Sequence, residues 1–99
     1  MIPFDKRQGH IWVDGEFKNW NESTVHILNH GLHYGSCVFE GIRIYNGKIF
    51  KLNEHTKRLF KSAELLDLKI PYDLNKIKKI TIEITEKQKV TDGYIRPVV

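Results

Sequence analysis

The stretch VFEGIRIYNGKIF, Val38 to Phe50, decides the fold of this chain. Val38, Glu40, Ile42 and Ile44 fall on one side of a period-two pattern, and Phe39, Gly41, Arg43 and Tyr45 on the other. An extended strand with one mixed, partly polar face is predicted. Asn46-Gly47 follows, a dipeptide that favours a type I′ hairpin turn, and strand-like residues resume at Lys48. Just upstream, the eleven residues HYGSCVFEGIR, His33 to Arg43, crowd aromatic rings, glycines, a thiol, a carboxylate and a guanidinium together. A routine core strand would alternate apolar side chains without interruption, so this composition points to a demand other than packing.

Working outward, IWVDGEFKNW reads as a second hairpin, with Ile11 and Val13 on one face, Trp12 on the other and Asp14-Gly15 at the turn. A short extended piece is expected at Thr24 to Leu28, and a loop or a single helical turn at Asn29 to Ser36. Asn53 is expected to cap a helix whose inner stripe is Leu59, Phe60, Ala63 and Leu66, closed by Pro71. Asp73 is expected to cap a second helix bearing Ile77, Ile80, Thr81 and Ile84, with an exposed Glu83–Lys87 pair. Asp92-Gly93 turns into a last strand, YIRPVV. That strand carries Pro97 and no closing element, so it leaves an apolar edge and the chain reads as cut off. The fold class is therefore α+β: one domain over residues 1–99, a mainly antiparallel sheet flanked by two helices.

Ninety-nine residues allow one core, and a chain of that size buries less than about two-thirds of its unfolded surface. A thin stability margin follows. With 40% hydrophobic and 28% charged residues, three prolines and seven glycines, the composition is globular and excludes disordered and collagen-like classes. The net charge is +4, but the lysines mostly alternate with glutamates in helical stretches, as on solvated helix faces. The basic run Lys76 to Lys79 has no interleaved aromatic residue, which argues against nucleic-acid binding. No stretch approaches the roughly 20 apolar residues of a membrane span, nor the apolar run of a signal peptide. A single cysteine, Cys37, forbids an internal disulfide and fits a reducing compartment, so the cytoplasm is expected.

His26, His30, His33 and Cys37 fall at i, i+4, i+7 and i+11, and a continuous helix would align them as zinc ligands. Gly31 and Gly35 interrupt that helix at about 1 kcal/mol each, so the competing reading is an irregular loop with locally bonded histidines. No glycine-rich phosphate loop occurs. Arg58, in HTKRLF beside the apolar stripe, and Arg96, between Ile95 and Pro97, are the candidate anion clamps, with ordinary surface charge as the alternative.

Taken together, IWVDGEF, HGLHYGSCVFEGIR, EHTKRL and YIRPVV, in this order and spacing, resemble the N-terminal part of a branched-chain amino acid aminotransferase. That family is a class IV enzyme dependent on pyridoxal phosphate. D-amino acid aminotransferases and aminodeoxychorismate lyases share its fold but lack the FEGIR run. The resemblance implies that Arg58 binds the cofactor phosphate and that Tyr34, Phe39 and Gly41 line the substrate side-chain pocket, with Tyr34 reaching into a neighbouring subunit. It implies that Tyr94 lies near the substrate carboxylate and that Arg96 helps accept the distal carboxylate of glutamate. It covers only about the first third of such an enzyme. The family's covalent lysine and the carboxylate that holds the pyridinium nitrogen belong to a second, larger domain with no counterpart here. The expectations are therefore no transaminase activity by the chain alone, weak or absent cofactor binding, self-association, and either a complementary chain carrying the lysine domain or a truncated-gene remnant. A binding or interaction module, or a zinc domain, is the alternative.

Overall fold

A computed structural model describes all residues, Met1 to Val99. The strand expected within Val38 to Tyr45 lies at the centre of the main sheet. β1 (His10–Val13) and β2 (Glu16–Asn19) form the first hairpin, with His10 opposite Asn19 and Val13 opposite Glu16. A single helical turn, α1 (His30–Tyr34), precedes β3 (Ile42–Tyr45) and β4 (Lys48–Ile49). Two 14-residue helices follow, α2 (Leu52–Leu65) and α3 (Leu74–Lys87), and β5 (Gly93–Ile95) returns to pair with β3. The main sheet has the order β4-β3-β5, antiparallel throughout. Both turns carry the positive φ that type I′ requires: Asp14 47° and Gly15 98°, Asn46 48° and Gly47 77°.

The pairing of β3 with the C-terminal segment continues beyond its regular ladder. Phe39 bridges Val98, and Val38 and Val99 exchange backbone bonds of 3.1 and 2.9 Å. The Glu40 N–H donates to the Pro97 carbonyl at 3.1 Å, but proline has no N–H to return. The long strand expected from Val38 is therefore extended and paired, yet regular only from Ile42.

The inner face of β3 meets the helices. Ile42 and Ile44 from β3, Leu59 and Ala63 from α2, and Ile80 from α3 are the buried apolar side chains. Three threonines join them, and each hydroxyl is satisfied within its own helix: Thr56 to Leu52 O, Thr81 to Ile77 O and Thr85 to Thr81 O, at 2.7 to 2.8 Å. Asp73 caps α3, its Oδ1 accepting from the Lys76 N–H at 2.7 Å.

Several local expectations are corrected. Thr24 to Leu28 is not a strand: its backbone bonds are spent locally, and Val25, Ile27 and Leu28 are exposed with no partner strand beside them. Asn53 does not cap α2, because the chain enters the helix earlier, through Lys51 at φ 56°, whose carbonyl accepts from the His55 N–H. Asn53 instead accepts from Lys78 Nζ on α3. Nor does Pro71 close α2. Asp67 at φ 56° does so in a Schellman motif, with Leu68 N–H to Ala63 O and Asp67 N–H to Glu64 O. Leu66 then lies past the helix end and is exposed. Lys87 lies 5.3 Å from the Phe17 ring centre, and no ion pair forms with Glu83.

Candidate functional site

The strand that carries Phe39, Glu40 and Gly41 separates two clusters of side chains. On the helix side, Glu40 is a carboxylate only 4% exposed on a face otherwise filled by Ile42 and Ile44. A buried carboxylate requires countercharge and full hydrogen bonding. Both come from α2. Arg58 donates from Nε to Oε2 and from Nη2 to Oε1, each at 2.8 Å, and His55 Nδ1 lies 2.7 Å from Oε1. The residues stand at i and i+3 on the helix, one above the other, so a single face supplies both donors. The Arg58 side chain remains 67% exposed.

The fork from Arg58, assisted by His55 and opposed by burial, holds the Glu40 carboxyl below its ordinary 4.5. The same bond raises Arg58 above its ordinary value. A depressed folded-state carboxyl contributes stability that is present above its unfolded pKa and lost as pH falls through the folded value. Urea midpoints measured from pH 7 downward should therefore fall more steeply below about pH 4.5 for the wild type than for Glu40→Gln. Parallel profiles would remove Glu40 as the source.

On the other face, Tyr94 stands opposite Arg43 in the ladder. Its hydroxyl accepts from Arg96 Nη2 at 2.7 Å and Nε at 3.2 Å. The Arg96 guanidinium also covers the Phe39 ring, 4.1 Å from its centre. Gly41 lies beneath the Tyr94 hydroxyl, in a space that a Cβ would fill. Phe39, Gly41, Tyr94 and Arg96 thus form one exposed patch of two rings and a cation. Arg58 approaches the same strand from the opposite side, and Tyr34 stands apart on α1, its ring 4.7 Å from His30 and 6.3 Å from His33.

The zinc alternative lacks its helix. α1 spans five residues and ends at Gly35, φ 69°. His26 Nδ1 accepts from the Leu28 N–H, His33 Nε2 bonds the Ile27 carbonyl, and His30 stacks on Tyr34. No group of three or more His, Cys, Asp or Glu side chains converges in a way that could hold a metal ion. Sequence reasoning singles out Arg58 but misses Glu40 and His55. The available signal is a charge at an inward strand position, followed by His and Arg at i, i+3 in the next helix.

The fold and the sequence together place the chain in a class of enzymes: residues 37–99 match the family model for amino-transferase class IV, and the chain belongs to that family. Within it, the relatives are branched-chain aminotransferases. A probable branched-chain-amino-acid aminotransferase of Rickettsia bellii is 54% identical over 90 residues, 91% of this chain and 31% of that protein. The Pseudomonas aeruginosa branched-chain-amino-acid aminotransferase is 43% identical over 97 residues, 94% of this chain and 32% of that protein. The crystal structure of the Escherichia coli branched-chain amino acid aminotransferase superposes with a TM-score of 0.88 at 33% identity, covering 93% of this chain and 32% of that one. A T.th. branched-chain amino acid aminotransferase complexed with N-(5'-phosphopyridoxyl)-L-glutamate also gives 0.88, at 38% identity, covering 93% of this chain and 33% of that one. The α+β architecture is that of the small domain of such enzymes. The chain spans about a third of the length of the curated relatives it matches.

Proposed function

We propose that this chain is the cofactor-phosphate and substrate-wall domain of a branched-chain amino acid aminotransferase, which moves an amino group between leucine, isoleucine or valine and 2-oxoglutarate. The reading rests on Arg58: two of its five N–H groups are held by Glu40, and the other three have no partner in the protein. A phosphate accepts such a planar, permanently charged group well. Pyridoxal phosphate supplies the electron sink of amino transfer when bound. The phosphopyridoxyl glutamate held by the T.th. relative supports both this cofactor and a dicarboxylate partner substrate.

Arg96 is assigned to the distal carboxylate of glutamate and Tyr94 to the substrate carboxylate, with the hydroxyl that Arg96 orients free to donate its own proton. Phe39 supplies apolar wall, and the missing side chain at Gly41 lets the Tyr94 hydroxyl lie against the strand. Tyr34 is assigned to the site of a neighbouring subunit. Its exposure, together with that of Val25, Ile27, Leu28 and Leu32, supports self-association. The free thiol of Cys37 fits the reducing cytoplasm. No helix is long and apolar enough to cross a membrane.

The covalent lysine is assigned to a second domain beyond these 99 residues, carried by a complementary chain or a longer one. One observation supports this: the chain matches about a third of the length of its relatives. The 99 residues alone are then expected to show no turnover of leucine and 2-oxoglutarate with added pyridoxal phosphate. Borohydride reduction of that mixture should yield only sparse label scattered over many lysines in the intact and digested mass spectra. Robust turnover, or a stoichiometric adduct on one lysine, would overturn the assignment.

A further inference from the structure

We propose that Glu40 is the positioning residue for the anion-binding edge of Arg58, an inference that rests on Arg58 being the phosphate ligand. An exposed arginine on a helix is free to sample many rotamers, and fixing one of them costs binding free energy. Here the Nε and Nη2 donors are both engaged by the two oxygens of Glu40, at 2.8 Å each. That fork fixes the plane of the guanidinium and not merely one atom of it. The two hydrogens on Nη1 and the second on Nη2 remain to meet a phosphate, on the edge turned away from the carboxylate. Glu40 is itself held, because it is 4% exposed, lies on a paired strand, and has Oε1 further engaged by His55 Nδ1 at 2.7 Å. A rigid strand therefore sets the orientation of a mobile side chain on a helix.

Charge alone makes the opposite prediction, which gives the test its sign. A carboxylate beside Arg58 repels a phosphate, so removing it without positioning effects would tighten binding. The experiment follows the side-chain Nε–H resonance of Arg58 in the isotope-labelled 99-residue chain during titration with inorganic phosphate up to hundreds of millimolar. The wild type is expected to respond with an affinity of tens of millimolar, as one or two contacts allow. Glu40→Gln keeps the size and one acceptor but loses the fork, and it should weaken phosphate by roughly fivefold or more while the amide spectrum stays folded. Unchanged or tighter binding in a folded Glu40→Gln would overturn the proposal while leaving Arg58 as ligand.

Arg58→Ala separates the two readings. If it abolishes the response of neighbouring amides to phosphate, the ligand assignment stands. If that response is unchanged, or if the wild type gives none, the phosphate assignment fails and the positioning role falls with it. Should Glu40→Gln not fold, Glu40→Asp is read in its place; it keeps the charge, withdraws the oxygens by one methylene and should weaken phosphate too. Pyridoxal phosphate should move the Arg58 resonance and pyridoxal should not. A response to pyridoxal as well would point to contact with the ring and overturn the proposal.

Discussion

Ile44→Ala is expected to lower the unfolding free energy by about 2 to 5 kcal/mol, the range for emptying a fully enclosed aliphatic site. Ile44 is 1% exposed on the central strand, paired to Ile49 on one side and Gly93 on the other. Neighbours on both strands and on the helices are committed to their own pairing, so the site has little freedom to collapse. Only nine of 99 residues are buried, which leaves few other contacts to absorb the loss. Against a total stability of about 5 to 15 kcal/mol for a domain, this is a large fraction. The urea midpoint should move down by about 1 M or more, given slopes of about 1 to 3 kcal/mol/M. Leu65→Ala, at an exposed position, should change the unfolding free energy by no more than about 0.5 kcal/mol. A loss below about 1 kcal/mol at Ile44 would mean that the sheet and helices are not one cooperative core.

Gly41→Val is the second large effect. A Cβ there would overlap the Tyr94 hydroxyl and lie 3.0 Å from Cζ and 3.1 Å from Cε2. Tyr94 is half exposed and can swing outward, which limits the cost to about 1 to 3 kcal/mol. The swing has a functional consequence, because the hydroxyl that accepts from Arg96 leaves with the ring. Proton NMR should show the Tyr94 ring signals displaced and the Phe39 ring losing the shift imposed by the overlying guanidinium. Gly47→Ala offers a contrast: at φ 77° with open space around it, it should cost about 1 to 2 kcal/mol of backbone strain and leave Tyr94 in place. Unmoved Tyr94 signals in Gly41→Val would show that the patch does not depend on this close approach.

The candidate site is only half legible in sequence. Arg58 and Arg96 stand out because a charge beside an apolar residue invites the question of what it binds. Phe39, Gly41, Tyr34 and Tyr94 carry no such mark on their own, and the family resemblance names them. Glu40 is visible as a polar residue on one strand face, but its partners lie 15 and 18 residues away. Strand periodicity says which way a carboxylate points and nothing about which helix residue will meet it.

The sequence by itself determined what depends on neighbours a few residues apart. Both type I′ turns follow from Asp14-Gly15 and Asn46-Gly47, the α3 cap from Asp73, and the inward and outward faces of β3 from period two. The energies behind these are local and hold whatever the rest of the chain does. Tertiary structure decided the remainder. It left Thr24 to Leu28 without a ladder partner, and it began α2 at Leu52 because the turn out of β4 delivers Lys51 with a positive φ. It set Pro97, whose missing N–H is written in the sequence, opposite Glu40. Above all it brought Glu40, His55 and Arg58 together, because burying a carboxylate between a strand and a helix is favourable only when distant donors arrive at the same place.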